Sequence, residues 1–426
     1  MDKQTNIIIE HLRKLVSIKS VSGEASGEYP FGEGPYEALE YVLDLCKSYG
    51  FKTKQCGNAC GYAEIGQGEE IFGVLVHLDV VPAGEGWTTN PYDVTVVDGK
   101  LFGRGVIDDK GPAVAVIHAM KELLDNKVLL NKRIRIIFGT SEETGDEEDL
   151  RLYKEYEELP TMGFTPDADF PVVYLEKGIA EIELSMKLED SGLVNADGGM
   201  AVNMVPDACT LSYMKNGKEY TVEATGKSAH GSMPWLGENA IGNAVFMICS
   251  EDDKEVIPFA KFYSTCIGMH TDGVGLGCDF TDEQSGGTTV NPGLIEIRDH
   301  QVVVTLDIRC AVSCTPELLM TSVKNIVEPY GVKAELTDWC ESVYMDKDGE
   351  FVQTLMSVYR EVTEEETEPL IMGGGTYARS MEHIVAFGPT FPGRECTEHQ
   401  PNEYIYLKDL LKGKEIYYEA MKRICS

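Results

Sequence analysis

An α/β fold with a mixed, largely parallel sheet and helices on both faces, interrupted by an inserted α+β domain, is predicted by three observations. Helical and strand patterns alternate from the start of the chain to about residue 180, which is the pattern of a parallel sheet with crossover helices. Between about 182 and 345 the pattern changes to hairpin-linked strands broken by two helical stretches. After that a helix and a buried strand return, so the carboxyl-terminal segment completes the first domain. At 426 residues the chain exceeds what one core usually supports. The expected division is therefore 1–181 with 346–426, and 182–345.

The elements follow in order. "MDKQTNIIIEHLRKLVSIKS" has helical spacing, with Ile7, Ile8, Leu12 and Val16 on one face. "PYEALEYVLDLCKSYG" is a second helix, ended by Gly50. A strand pair spans Lys52 to Ile65, and "VLVHLDVVP" then runs as a β-branched strand suited to burial on both faces. His77 and Asp79 interrupt that run and point to the same side, a costly burial unless each finds a partner. The helix "GPAVAVIHAMKELLDNK" and the strand "RIRIIFGT" close this part. In the insert, "GIAEIELSMKLE", "ACTLSYMKNGKEYTVEATGK", "GLIEIRDHQVVVTLDIRC" and "GVKAELTDWC" read as strands, with a hairpin signal at Asn216-Gly217. Helices are expected near Asn239 to Ser250 and Pro316 to Val327, and "EFVQTLMSVYREVT" and "HIVAFGP" return to helix and buried strand. The acidic runs "EETGDEEDLRLYKEYEE" and "EVTEEETEP" read as solvated faces, except for the first two Glu of the former.

Composition narrows the function classes. The hydrophobic fraction of 43% is that of a soluble globular protein. Against 37 basic residues stand 71 acidic ones, a formal charge of −34, which argues against nucleic acid or an anionic membrane as partner. The amino terminus lacks the features of a signal peptide, and no apolar run is long enough to span a bilayer, so a cytoplasmic protein is expected. Twelve scattered cysteines without a C-x-x-C pair read as reduced, mostly buried thiols.

Ligands of open α/β sheets sit outside the carboxyl ends of the strands, and polar groups collect at such ends here. His77 and Asp79 end one strand, and "GRGVIDDKGP" sets Asp108 and Asp109 in a Gly-rich turn before a helix. "RIRIIFGTSEETG" ends in Glu142 and Glu143, "FTPDADFPVVYLEKG" offers Asp167 and Asp169, and "FPGRECTEHQPNEYI" places His399 in a loop. Such a cluster would repel itself at neutral pH unless protons or cations were bound. Two imidazoles with three or more carboxylates suit a pair of divalent ions about 3.5 to 4 Å apart, zinc first, then manganese or cobalt.

"HLDVVPAGEGW", "NPYDVTVVDGKLFGRGVIDDKGP", "GTSEETG", "PDADFPVVYLEKG" and "EHQPNEYI" closely resemble the dinuclear metallopeptidase family of aminoacylases, carboxypeptidases and dipeptidases. The PepV-type Xaa-His dipeptidases are the nearest branch. The inserted domain shares the likeness through "GGMAVNMVPDAC", "GKSAHGSMP", "TTVNPGLIEI" and "VTLDIRC". The resemblance implies a zinc-exopeptidase-like catalytic domain carrying a lid. It implies one metal on His77, Asp108 and Asp167 and the other on Asp108, Glu143 and His399, with Asp108 as the bridge because it follows G-R-G-x-x directly. Asp167 is taken over Asp169 because it follows the proline of the P-D-A motif.

In the same likeness Glu142 is the general base, and Asp79 orients His77 by accepting its other ring proton. His230 of "GKSAHGSMP" is the lid histidine that reaches over the metals, while Asn203 and Arg309 match lid positions that bind substrate. The lesser alternative for Arg309 is an ordinary strand-face charge. His118 lies within the helix after Gly111 and reads as a satisfied core or boundary residue, and His11, His270, His300 and His383 have no partner motif. The expected activity is hydrolysis of dipeptides with a free amino terminus, by a monomer. Two rivals stand beside it. One is an N-acyl-amino-acid deacylase or carboxypeptidase, whose family members commonly carry Glu at the position of Asp167. The other is a non-catalytic peptide-binding relative.

Overall fold

The computed structural model describes residues 2–145, 147–250 and 256–426. The chain divides into two compact units. One holds Met1–Tyr174, Met345–Leu370 and Thr376–Ser426, and the other Leu175–Tyr344 and Ile371–Gly375. The second unit thus starts at Leu175, earlier than the hairpin pattern suggested, because the strand Val173–Glu176 carries the chain across the junction. It also takes back the short segment at 371–375.

The first unit is built on a mixed sheet. Its strands run in the order Lys52–Cys56, Cys60–Gly66, Arg133–Gly139, Ile71–His77, Met162–Thr165, Ile384–Ala386, with the start of Val173–Glu176 at the far side. Arg133–Gly139, Ile71–His77, Met162–Thr165 and Ile384–Ala386 are mutually parallel. Every residue of Ile71–His77 is buried, which accounts for its nearly continuous apolar run. Helix Lys110–Asp125 packs on this strand and against helix Leu407–Cys425. In another cluster Leu75 and Ile137 meet Leu150 and Tyr153 of helix Glu148–Tyr156.

The amino-terminal helix, Lys3–Val16, is capped by Asp2, whose carboxylate accepts the N–H of Thr5 at 2.8 Å. Ile8, Ile9, Leu12, Leu15 and Val16 are buried, while Ile7 is only half-buried. Helix Glu148–Tyr156 corrects the expectation that the first acidic run is all solvated face. Leu150 and Tyr153 form an apolar stripe within it and draw Asp149 into the core with them. Helices Pro258–Cys266 and Leu407–Cys425 were not anticipated from the pattern.

The second unit is a seven-stranded antiparallel sheet, in the order Lys218–Thr225, Ala208–Lys215, Leu193–Gly198, Thr289–Arg298, Gln301–Cys310, Gly178–Lys187, Lys333–Cys340. Gly178–Lys187 alternates buried and half-buried residues, with Ala180, Ile182, Leu184 and Met186 on the inner face. Helices Ala240–Cys249, Pro258–Cys266 and Pro316–Val327 share the core that this face builds.

Candidate functional site

In the first unit the four parallel strands end at one edge, and the polar residues follow those ends. His77 is the last residue of its strand. Glu142 and Glu143 form a one-turn 3-10 helix three residues beyond Gly139. Asp167 follows Met162–Thr165 by two residues, Asp108 stands at a cis peptide bond with Asp109 just ahead of helix Lys110–Asp125, and His399 lies in the loop before Tyr404–Tyr406.

The structure brings these side chains together. His77 Nε2 is 2.8 Å from Asp108 Oδ1 and 3.7 Å from Asp167 Oδ2. His399 Nε2 is 2.9 Å from Asp108 Oδ2 and 3.0 Å from Glu143 Oε2. Asp108 therefore turns one oxygen to each imidazole, the arrangement of a bridging carboxylate. Ligand atoms of His77, Asp108 and Glu143 lie within 4.8 Å of one another, as do those of His77, Glu142 and Asp167. His77 Nε2 is buried and has no hydrogen bond although carboxylates surround it. An imidazole nitrogen held against acceptor-only groups in this way fits a cation between them.

The electrostatics agree with that fit. Burial pushes Glu142 well above the usual carboxylate range, with Asp167 and Glu143 adding to the shift and His77 opposing it. Burial and the charge of Asp108 raise Glu143, and they lift Asp167 to about 7. Asp108 is held low in spite of its burial by its two imidazole neighbours. Burial pulls His399 down, but its bonds to Asp108 and Glu143 win and raise it to about 11. Without cations the cluster reconciles its charges only by taking up protons.

Around the cluster, buried carboxylates hold main-chain N–H groups. His77 Nδ1 has its nearest acceptor in the main-chain oxygen of Asp79 at 3.1 Å, with the Asp79 carboxylate farther off at 3.5 Å. That carboxylate instead receives the main-chain N–H groups of Glu142 at 3.2 Å and Glu143 at 3.0 Å. The sequence expectation for Asp79 is corrected to this extent: its backbone orients the ring and its side chain holds the Glu turn. Asp109 is fully buried and accepts the His77 N–H at 3.1 Å, while Asp169 is exposed. Glu403 accepts the N–H groups of Gly105 at 2.9 Å and Ile107 at 3.1 Å and pairs with buried Arg104, so it fixes the turn that delivers Asp108. Sequence reasoning assigned nothing to Glu403, since a single Glu beside a strand looks like a surface charge.

The remaining expected residues belong to the second unit and lie near one another. The main-chain oxygen of Asn203 accepts the Gly231 N–H at 2.7 Å. Exposed His230 contacts Ser232 Oγ through Nδ1 at 2.7 Å. A side chain at Gly231 would begin 2.3 Å from Asp307 Oδ2, so this loop passes directly over Asp307. Asp307 in turn pairs with Arg309, at 2.8 Å to Nε and 2.9 Å to Nη2, while Nη1 donates to the Gly373 oxygen at 2.9 Å. Arg309 is buried and partly committed to Asp307, a partner that the sequence did not reveal.

Known proteins bear on this geometry. The sequence pattern of peptidase family M20/M25/M40 matches residues 73–423. A Staphylococcus saprophyticus protein that bears a provisional dipeptidase name is 34% identical over 457 aligned residues, covering 99% of this chain and 97% of that protein. Human carnosine dipeptidase 1 shares the fold with a TM-score of 0.63 at 15% identity, over 99% of this chain and 97% of that one. The Bacillus subtilis YXEP protein, described as a dinuclear metal binding peptidase of family M20, does so with a TM-score of 0.59 at 12% identity, over 100% and 99% of the two chains. The resemblance carried by the motifs thus holds across the chain, which belongs to peptidase family M20/M25/M40 and is a hydrolase of peptide bonds.

Proposed function

We propose that this peptidase is a dipeptidase that depends on two divalent metal ions and requires a free amino terminus on its substrate. The observation that carries the reading is the pair of imidazoles sharing Asp108, with Asp167 on one side and Glu143 on the other. His77, Asp108 and Asp167 would hold one ion and Asp108, Glu143 and His399 the second, with zinc first and manganese or cobalt as alternatives. Bound there, the ions lower the pKa of a water and polarise the scissile carbonyl. Glu142 carries no ligand role in this scheme. It takes the proton of the attacking water and returns it to the leaving amine, and its raised proton affinity suits that exchange.

The second unit supplies the substrate contacts in this reading. His230 donates to the oxyanion, Asn203 binds substrate, and Arg309 binds the carboxylate at its far end. Asp307 and Gly373 accept two of the five guanidinium N–H groups of Arg309, and the others remain for a carboxylate. A requirement for a carboxylate at the far end of the substrate would restrict the enzyme to short peptides. The dipeptidase names of the relatives support the same size class. Twelve free cysteines support a reducing compartment, and we place the protein in the cytoplasm as a monomer. Among the described residues no helix is long and apolar enough to cross a membrane.

The test is hydrolysis of β-Ala-His, Ala-Leu, a tripeptide and an N-acetyl amino acid with zinc and with manganese, before and after chelation. Cleavage of the dipeptides alone, lost on chelation, is the expected result. Preference for the N-acetyl amino acid would replace the reading with a deacylase. Glu142→Ala should keep both ions and lose roughly 100- to 10,000-fold in kcat. A variant with near wild-type kcat removes Glu142 from the mechanism.

A further inference from the structure

Beyond Gly139 the chain leaves the sheet with four consecutive main-chain N–H groups, from Thr140 to Glu143, that lie past the strand pairing. Buried N–H groups without partners are costly, and here two carboxylates take all four. Glu142 and Glu143 donate to Asp79, as described above. Thr140 and Ser141 donate to a second acid, Asp149 Oδ2, at 2.5 and 2.9 Å. Asp149 is fully buried in the first turn of helix Glu148–Tyr156. Its Oδ1 accepts the Leu150 N–H at 2.6 Å, and its Oδ2 also accepts the hydroxyl of Tyr377 at 2.5 Å.

Tyr377 is itself fully buried and joins two parts of the site. Its ring stands edge-on to the His77 imidazole, with centroids 6.1 Å apart and planes at 87°. Its hydroxyl fills the space beside Gly139, where a side-chain carbon would lie 2.1 Å from it. One tyrosine therefore touches the ring of a candidate metal ligand and the acid that fixes the turn carrying Glu142 and Glu143. Accepting the Thr140 and Ser141 N–H groups would by itself be a structural task. The contact with His77 and the placement immediately before Glu142 tie the pair to the site.

We infer that Asp149 and Tyr377 are positioning residues, which set the main chain at Thr140–Ser141 and through it the reach of Glu142 to the substrate and of Glu143 to its ion. The inference rests on the reading of Glu142 as base and Glu143 as ligand. Misplacement of a catalytic group by about 1 Å is enough to cost on the order of 100-fold in rate. Support groups behind metal ligands are worth on the order of 10- to 100-fold in affinity or activity.

Tyr377→Phe keeps the ring and removes only the hydroxyl, and Asp149→Asn keeps the shape and removes the charge. Each is compared with wild type in metal affinity, by competition of zinc with a chromogenic chelator, and in kcat and KM for Ala-Leu at saturating metal. The expected result is a loss on the order of 10- to 100-fold in the affinity for one ion. A fall in kcat of similar size should accompany it with KM little changed. A lower melting temperature with metal affinity and kcat at wild-type values would overturn the inference and leave a structural pair. If either variant fails to fold, the other decides. Should wild type cleave no peptide while Tyr377→Phe still loosens the metal, the dipeptidase reading fails and the positioning role stands.

Discussion

The two units treat charge in opposite ways. In the first, His77, Asp79, Asp109, Asp149 and Glu403 are buried with almost no exposure, and they are tolerated because each accepts or donates within a fixed set of main-chain and side-chain partners. In the second, the sheet buries an apolar face, while Asn203 and His230 lie exposed on loops. Arg309 and Asp307 are exceptions there, a buried pair beneath that loop, and Glu176 is a further buried charge of that unit. The difference teaches that a cluster meant for cations has to be prepared in advance by its scaffold, because unpaired carboxylates so close together would otherwise separate or take up protons. Residues that only meet a substrate can stay solvated until it arrives.

After Glu142→Ala in the first unit, breaking the second unit's contribution should give the largest effect on rate. His230→Ala is expected to lower kcat on the order of 100- to 1,000-fold with metal content unchanged, as for loss of one oxyanion donor. Metal analysis beside steady-state kinetics checks this. A loss of metal would move His230 into the first unit's task. Mixing His230→Ala with Glu142→Ala protein tests the monomer: recovered activity would show that subunits share sites.

A smaller effect should separate the two halves of the Arg309 contact. Arg309→Lys retains a charge for Asp307 but loses the planar fork. KM for a dipeptide should rise on the order of 10- to 100-fold, and that for its amide much less, because a bidentate fork to a carboxylate is lost only for the acid. Equal losses on both substrates would assign Arg309 to its pair with Asp307 alone.

The smallest effect concerns the first unit away from the cluster. His11 Nδ1 and His118 Nε2 are 3.0 Å apart, and burial, reinforced by His11, lowers His118 to about 3. Its folded pKa lies below the ordinary value of about 6.5, so the unfolded chain binds the proton first. The stability is present above about pH 6.5 and is lost as the pH falls towards the folded value, by at most about 1.4 kcal/mol per pH unit. His118→Gln should flatten this acid limb in denaturant titrations at pH 7, 6 and 5. A slope identical to wild type would show that His118 does not set it.

Much of this arrangement was legible in the sequence. Helices Pro316–Val327 and Glu350–Thr363 begin and end where the pattern placed them, because Thr315 and Pro316 mark one start and apolar spacing marks both bodies. The strand holding His77 was legible as an apolar, Val-rich run, but it spans Ile71–His77 and ends before the Leu78–Pro82 stretch that the pattern includes. The gathering of His77, Glu143 and Asp167 followed from a rule of topology: parallel strands present their carboxyl ends at one edge. Asp108 and His399 come from loops beside the separate sheet of Lys100–Phe102 and Tyr404–Tyr406, and the choice of each acid over its neighbour rested on the motif resemblance.

Other roles required the tertiary structure, since they depend on contacts between residues far apart in the chain. Asp149 sits in a run of acids that composition assigns to solvent, and only the packing of Leu150 and Tyr153 turns it inward to meet Tyr377, 228 positions away. Glu403 reaches Gly105 across 298 positions, and the pairing of Arg309 with Gly373 is likewise invisible along the chain. Asp79 shows the division within one residue. Its sequence position predicted a partner for His77, but the choice between its main-chain oxygen and its carboxylate was made by the Glu142–Glu143 turn, whose free N–H groups took the carboxylate. Periodicity and motif determine which side chains arrive at an edge. Which of them remain there as ligands, and which serve as supports, is decided by where the fold leaves main-chain donors in need of an acceptor.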